Sequence, residues 1–238
     1  MVTRRVSEDF HGFLANVSAY KYTQLQKLSC PSAEACTVWL GLWAVYNFGM
    51  TANGAPIDDQ TVNLLENLSR EMQGEVDWSS LGRTLYGTDA SAYQETPLAV
   101  AFPETEEDLG LLIRFANQHR IGLIPRTAGT SLAGQVVGSG IVVDVSRHWN
   151  QILEINPDER WVRVQPGVIR DELNMALAEH DLLFGPETST ANRAMVGGML
   201  GNNSCGSNSV VYGSTRDHTI SVTGFLSDGT KRLSAISR

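Results

Sequence analysis

The chain has 238 residues, of which 42% are hydrophobic and 18% charged, so it has a globular composition and room for one large domain or two small ones. Its net charge of −8, without any cluster of Lys and Arg, argues against a nucleic-acid partner. No CxxC pair is formed by Cys30, Cys36 and Cys205, which argues against a disulfide framework or a metal site and favours a reducing compartment.

Residues 1–60 show no clear periodicity and are interpreted as an N-terminal extension of unknown role. No apolar stretch follows the first basic residues, so we expect no secretory signal and predict a cytoplasmic protein. The uncharged block CTVWLGLWAVYNFGM (36–50) is shorter than the roughly 20 apolar residues that span a bilayer. It is interpreted as a buried or interfacial helix, and peripheral association with the inner membrane stays open.

From Thr61 the hydrophobic pattern becomes regular. A helical lead-in is predicted over 61–94, with a first helix that ends near Gly74 and has apolar residues at helical spacing: Val62, Leu65 and Leu68. LAVAFP (98–103) predicts a short strand. The next helix is predicted to begin with a Thr105 and Asp108 cap and to bury Leu109, Leu112, Ile113 and Ala116. IGLIP (121–125) predicts the strand that follows.

The second half of the chain continues this alternation. IVVDV (141–145) predicts a buried strand, whereas ILEI and WVRVQPG alternate and predict half-exposed strands. VIRDELNMALAEHDL (168–182) predicts an amphipathic helix with an inward face of Ile169, Leu173, Ala176 and Leu177. Two strands are predicted around an Asp228-Gly229 turn. Together these elements predict an α+β domain over residues 95–238.

The segment IPRTAGTSLAGQVVG (124–138), called here the first loop, begins at the end of a predicted strand and is rich in small residues. It does not match a Walker loop, because Gln135 and Val136 stand where Lys and Ser or Thr are required. A dinucleotide fingerprint is also excluded, since a strand rather than a helix follows. The nucleophile motif GxSxG and metal-binding pairs such as HExxH are missing too, so no metal is predicted.

Successive backbone amides in such a loop can face an anion such as pyrophosphate. Arg126 adds a positive charge, and hydroxyl donors come from Thr127, Thr130 and Ser131. A turn packed against a strand explains the small residues equally well. The segment GPETSTANRAMVGGMLGNNSCGSNSVVYGSTRDH (185–218), called here the glycine-rich segment, favours the anion, because glycine is costly to order and its density indicates close approach of a ligand.

These stretches, with YGTDASAYQETPLAVAFPETEEDL and VQPGVIRDELN, resemble the FAD-linked oxidases and dehydrogenases of the vanillyl-alcohol oxidase/PCMH type. The resemblance is to the branch that contains D-lactate dehydrogenase, the flavin-binding component of glycolate oxidase and D-2-hydroxyglutarate dehydrogenase, and it covers residues 80–238. It implies a PCMH-type FAD-binding domain of two α+β subdomains with the flavin between them. The resemblance also implies that the end of this domain and the substrate cap domain are missing.

The resemblance implies a set of cofactor-binding residues. In the first loop they are Arg126, Thr127, Ala128, Gly129, Thr130 and Ser131, with amides on the pyrophosphate. Those along the cofactor, its diphosphate and its ring system are Pro186, Thr188, Ser189, Gly197, Gly198, Asn202, Gly206 and Ser207. Thr127 departs from the glycine that many relatives have. Thr130 stands where some relatives attach the flavin through a histidine, so any FAD is expected to be non-covalent.

The reaction implied by the resemblance is hydride transfer to FAD from a small 2-hydroxy acid of the D-lactate, glycolate or 2-hydroxyglutarate class. Electrons would then pass to a quinone, a cytochrome or an electron-transfer protein. No catalytic residue is assigned, and the isolated chain is expected to be inactive. The alternatives are a UDP-sugar reductase or an aldonolactone oxidase, which share the flavin fold, and a catalytically inactive module.

Overall fold

A computed structural model describes residues 57–235 of the protein. Cys30, Cys36 and the uncharged block 36–50 lie outside the described residues. The elements in chain order are α1 (Asp59–Glu71), β1 (Glu75–Asp77), α2 (Ser80–Tyr86), β2 (Ala99–Phe102), α3 (Glu106–His119), β3 (Leu123–Arg126), β4 (Ile141–Asp144), β5 (Ile152–Asn156), β6 (Trp161–Val164), α4 (Arg170–Ala178), α5 (Val196–Gly201), α6 (Ser209–Tyr212), a 3-10 turn (Thr215–His218), β7 (Ser221–Phe225) and β8 (Lys231–Ala235).

The first part of the described chain is built on a four-stranded sheet with the order β1-β2-β4-β3. Strand β4 pairs in parallel with both β2 and β3, whereas β1 runs antiparallel to β2. Every residue of β2 and β4 is buried. Strands covered on both faces carry continuous apolar runs, which is why β2 is apolar throughout and β4 is apolar up to its last residue, Asp144. The strands predicted over 98–103 and 141–145 are confirmed.

Helices α1 and α3 pack against this sheet. The predicted apolar faces are confirmed at their centres, since the predicted apolar residues Leu65, Leu68, Leu112 and Ala116 are all buried. Helix α1 begins two residues earlier than the sequence pattern, where the Asp58 side chain accepts a hydrogen bond from Thr61 N. At α3 the predicted cap is confirmed as a reciprocal capping box between Thr105 and Asp108.

Asp108 does more than cap its helix. Its carboxylate, which is 1% exposed, accepts hydrogen bonds from four backbone N–H groups at distances of 2.9 to 3.2 Å: Gln73, Gly74, Glu104 and Thr105. Burial opposes ionisation, but these four donors hold the pKa of Asp108 below its ordinary value. One side chain therefore ties the start of β1 to the start of α3.

The second part of the described chain contains two separate two-stranded sheets, β5-β6 and β7-β8. Residues of β5 and β6 are partly or fully exposed, as their alternating sequence predicted. Helix α4 buries Leu173 and Leu177 with Val168. The predicted turn between β7 and β8 is confirmed, and Gly229 adopts a φ of +82° there, a conformation that favours glycine.

Short elements escaped the sequence analysis. Strand β1 and helix α2 lie in the predicted lead-in 61–94, and the pairing of β1 with β2 brings that segment into the sheet. Within the glycine-rich segment the chain forms two short helices, α5 and α6. Elements of three to seven residues are too short for a hydrophobic period to identify them.

Candidate cofactor site

The first loop leaves the sheet at the carboxyl end of β3, beside the parallel strand β4. Gly129 and Gly134 have φ values of +65° and +68°, so the chain reverses direction at positions where glycine is favoured. Within residues 57–235, none of the five backbone N–H groups from Thr127 to Ser131 donates a hydrogen bond to the chain. Backbone donors of this kind require water or a ligand as acceptor.

Arg126 lies on the protein side of this loop. Its Nη1 donates to the carbonyl oxygen of Thr88 at 2.7 Å and lies 3.4 Å from that of Tyr86. Its guanidinium also lies over the Tyr86 ring, 5.1 Å from the ring centroid. A Cβ atom on Gly129 would be 2.5 Å from Arg126 Nη2, so the guanidinium fills the space against the loop backbone. These contacts are with protein groups, and the phosphate contact of Arg126 stays a prediction.

A second, partly buried contact extends from Tyr86 into the sheet. The Tyr86 hydroxyl donates to Asp144 Oδ2 at 2.6 Å, and the other carboxylate oxygen accepts from Ser146 N and Ser146 Oγ at 2.7 and 2.6 Å. Burial and the bond to Asp144 raise the pKa of Tyr86 above its ordinary range. Burial lowers the pKa of Arg126, an effect opposed by neighbouring acidic groups. Tyr86 is therefore neutral and Arg126 cationic at neutral pH.

The structure brings the first loop together with the glycine-rich segment. A Cβ atom on Gly198 would be 2.6 Å from Thr127 Oγ1, so the start of α5 touches the loop. A chain of side-chain hydrogen bonds joins the two segments further along. Ser131 Oγ donates to Gln135 Oε1 at 2.7 Å, and Gln135 Nε2 donates to Asn202 Oδ1 at 3.0 Å. Four of the predicted residues thus lie around one site.

Two of the predicted glycines are packed against the chain itself. A Cβ atom on Gly197 would be 2.5 Å from Pro166 Cβ, and one on Gly206 would be 2.4 Å from the carbonyl oxygen of Glu187. Their lack of a side chain is therefore required for packing. Contact of Gly197 or Gly206 with a ligand stays a prediction.

The remaining predicted residues lie at the edge of this arrangement. The Pro186 carbonyl accepts a hydrogen bond from Arg170 Nε at 3.2 Å. The N–H groups of Thr188 and Ser189 donate no hydrogen bond to the described part of the chain. Ser207 is exposed, and Ala128 contributes its backbone amide to the run in the first loop. No hydrogen bond within residues 57–235 joins Pro186, Thr188, Ser189 or Ser207 to the first loop.

Tyr86 and the contacts of Asp144 and Gln135 were not predicted from the sequence. Tyr86 and Asp144 meet although they are 58 positions apart, and no local pattern indicates that contact. In the sequence, Gln135 stands out only as a departure from the Walker lysine. Its amide carries both a donor and an acceptor, which is what a bridge between a hydroxyl and another amide requires.

Two buried polar atoms of the described residues lack a hydrogen-bond partner: Asp89 Oδ2 and Arg216 Nε. Both belong to segments that touch the site. Ala90, next to Asp89, donates its N–H to the Gly129 carbonyl at 3.1 Å, and Arg216 N donates to Asn203 Oδ1 at 3.0 Å. Unsatisfied buried polar atoms are rare in proteins and are typical of places where a ligand or water completes the structure.

Residues 97–233, more than half of the chain, match the FAD-binding domain family. The chain belongs to this family, and its cofactor is FAD. The match includes the first loop and the whole glycine-rich segment, so the two segments that meet in the structure are both part of the family pattern.

Curated relatives share this region. D-2-hydroxyglutarate dehydrogenase of Escherichia coli (strain K12) is 44% identical over 172 residues, which cover 71% of this chain and 17% of that protein. The glycolate oxidase subunit GlcD of Bacillus subtilis (strain 168) is 34% identical over 155 residues, or 64% of this chain and 33% of the relative. The chain therefore spans about a sixth of the first relative and a third of the second.

Solved structures show the same fold. p-Cresol methylhydroxylase with substrate bound superposes with a TM-score of 0.61 at 16% identity, covering 74% of this chain and 36% of that one. 6-Hydroxy-D-nicotine oxidase from Arthrobacter nicotinovorans gives a TM-score of 0.60 at 22% identity, covering 69% and 36%. The predicted α+β, PCMH-type fold is confirmed.

The groups present in the site fit FAD. The run of amides from Thr127 to Ser131 supplies donors for a diphosphate. Asp89 Oδ2 and Arg216 Nε, the two buried atoms without a hydrogen-bond partner, can each still form a hydrogen bond. In the part of the chain that the structure describes, no group of His, Cys, Asp or Glu side chains is arranged to hold a metal ion, and no helix has the length and apolar character needed to cross a membrane.

Proposed function

We propose that this chain forms the FAD-binding part of a flavoprotein that oxidises a small 2-hydroxy acid of the D-lactate, glycolate or 2-hydroxyglutarate class. The observation that carries the proposal is the run of five amides without an acceptor, placed against the start of α5. The similarity to D-2-hydroxyglutarate dehydrogenases and to a component of glycolate oxidase supports the substrate class.

In this proposal the first loop binds the FAD diphosphate through the amides of residues 127–131, helped by the hydroxyls of Thr127, Thr130 and Ser131. Residues of the glycine-rich segment lie along the rest of the cofactor, among them Thr188, Ser189, Gly198 and Asn202. When bound, FAD supplies the acceptor for the hydride of the substrate carbon. Thr130 cannot form the bond that a histidine makes to flavin, so the cofactor is held non-covalently.

We propose no catalytic base on this chain. His218 is exposed, its Nε2 lies 2.5 Å from the Tyr212 carbonyl oxygen, and its ring packs against Phe184 at 5.8 Å, so its contacts are structural. We therefore expect the chain to bind FAD without turnover. A quinone, a cytochrome or an electron-transfer protein is proposed as the electron acceptor of the whole enzyme.

The test is the visible absorbance spectrum of the purified 238-residue chain, measured before and after addition of FAD and removal of free ligand. The expected result is a retained flavin spectrum that passes entirely into the supernatant when the protein is denatured. Riboflavin, which lacks the diphosphate, is the matched control and should be lost on desalting. Retention of riboflavin and FAD to the same extent would contradict binding through the first loop.

A further inference from the structure

A set of polar side chains, of which Asp144 is buried and Tyr86 and Arg126 are partly buried, connects the first loop to the sheet beneath it. We call this set, Tyr86, Arg126 and Asp144, the brace. Asp144 is 5% exposed and ends β4, Tyr86 ends α2, and Arg126 ends β3. The Tyr86 side chain contacts both other members, through its hydroxyl to Asp144 and through its ring to Arg126. The three side chains thus join the ends of three elements.

The brace reaches the loop backbone by two routes. Arg126 holds the chain at Thr88 through the carbonyl oxygen, and two residues later Ala90 N donates to the Gly129 carbonyl at 3.1 Å. The guanidinium also packs directly against Gly129, where it occupies the space a Cβ would need. Gly129 is the residue with positive φ in the middle of the amide run, so both routes act where the loop changes direction.

We propose that Tyr86, Arg126 and Asp144 are positioning residues, which orient the amides of residues 127–131 and so set the affinity for a diphosphate ligand. The inference rests on the proposed binding of FAD by this loop. Arg126 then acts through the backbone and not as a direct ionic partner of the phosphates. A preorganised run of amides binds an anion without first having to order the loop.

Substitution by lysine distinguishes a direct role of Arg126 at the phosphates from an indirect role through the loop backbone. Lysine keeps the positive charge, but a compact ammonium cannot reproduce the planar contact with Tyr86 or the packing beneath Gly129. If Arg126 acts through the brace, Arg126→Lys and Arg126→Gln should weaken FAD binding to a similar extent, about tenfold. If Arg126 binds phosphate directly, Arg126→Lys should retain most of the affinity and Arg126→Gln should not.

Tyr86→Phe isolates the next member of the brace, because phenylalanine keeps the ring under Arg126 and loses only the hydroxyl that donates to Asp144. We expect about three- to tenfold weaker FAD binding. Arg147→Lys is the matched control. Arg147 also stacks on an aromatic ring, that of Phe102 at 4.7 Å, and pairs with Glu75 at 2.7 Å, but it is half exposed. Its charge acts on Tyr86, and lysine keeps that charge. Its FAD affinity should equal that of the wild type.

The experiment measures the Kd for FAD and, separately, for ADP, which carries the diphosphate without the flavin, by titration calorimetry of the full chain. Amide hydrogen exchange of the ligand-free chain is followed in parallel. Loss of the brace should increase exchange at Ala90, whose N–H is bonded to the loop, while amides of β2 stay protected. A purely structural role would instead lower the melting temperature and leave both the Kd of the folded protein and exchange at Ala90 unchanged.

The two proposals can fail separately. If the wild-type chain binds neither FAD nor ADP, the proposed function fails, and the brace is judged by exchange at Ala90 alone. The brace is overturned if Arg126→Lys binds FAD like the wild type, or if Tyr86→Phe changes neither affinity nor exchange. The brace is supported if FAD binds more weakly to Arg126→Lys, Arg126→Gln and Tyr86→Phe than to Arg147→Lys, and if exchange at Ala90 is faster in those three variants.

Discussion

Residues 57–145 and residues 150–235, the first and second regions, achieve order by different means. The largest buried cluster of the first region contains nine hydrophobic residues, packed between two helices and a four-stranded sheet. Among the described residues of the second region, the largest buried cluster has three members, and the sheets have two strands each. An isolated two-stranded sheet is marginally stable. The first region therefore carries the stability, and the second depends on what it packs against.

The cofactor site lies where these regions meet. The first loop belongs to the first region and is held by partly buried hydrogen bonds. The glycine-rich segment belongs to the second region and consists mainly of turns and short helices. Segments with few buried apolar contacts open most easily. A ligand at this boundary should therefore add order mainly to the second region.

The largest effect is expected at a buried carboxylate of the first region. Asp108→Asn replaces a carboxylate that accepts from four backbone N–H groups by an amide whose NH₂ group must face some of those donors. We expect a loss of about 3 kcal/mol in the free energy of unfolding, measured by urea denaturation. Glu107→Gln, one position away on the exposed side of α3, is the control and should change it by less than about 0.5 kcal/mol.

The same residue predicts a pH dependence. Because the folded-state pKa of Asp108 is depressed, its stabilisation is fully present above the unfolded pKa of about 3.9 and is lost as the pH falls through the folded-state value. Wild-type stability should therefore decline in acid more steeply than that of Asp108→Asn. Parallel declines of the two proteins would show that Asp108 is not the residue responsible.

FAD binding is expected to have the next largest effect on the free energy of unfolding. At a free concentration one hundred times the Kd, binding should raise the free energy of unfolding by about 2.7 kcal/mol. Hydrogen exchange should localise the added protection to the first loop and the glycine-rich segment, while the amides of β2 and β4 change little. Equal added protection across both regions would mean that they unfold as one unit, and the contrast between them would then be wrong.

The same substitution, glycine to alanine, can be made at one position in each region. Gly206→Ala places a Cβ 2.4 Å from the carbonyl oxygen of Glu187, and two backbone segments must separate to admit it. We expect a loss of about 1–3 kcal/mol in unfolding free energy together with weaker FAD retention. Gly122→Ala in the first region has no atom within 4 Å of the added Cβ and should be neutral or slightly stabilising. Equal effects of the two substitutions would argue against the close packing at Gly206.

How far the sequence predicted these regions depends on whether a feature is local. The apolar runs of β2 and β4, the Thr105 cap and the Asp228-Gly229 turn each depend on neighbouring residues, and all are confirmed. The contact of Tyr86 with Asp144 depends on packing between distant elements, and nothing in either local sequence indicates it. Gly206 was equally unpredictable from the sequence. A glycine that is needed for close approach of a ligand cannot be distinguished, by sequence alone, from one that is needed for close packing against another backbone segment.

The smallest effect is expected on the surface of the second region. Val210 on α6 is 91% exposed, so Val210→Asp removes almost no buried area and should change the unfolding free energy by less than about 0.5 kcal/mol. Val168→Ala, at a position 2% exposed in the same region, should cost more because it leaves a cavity in a small cluster. Denaturation of both variants tests this difference. A loss above about 1 kcal/mol for Val210→Asp would mean that other residues of the protein cover α6, and that the second region owes part of its stability to that contact.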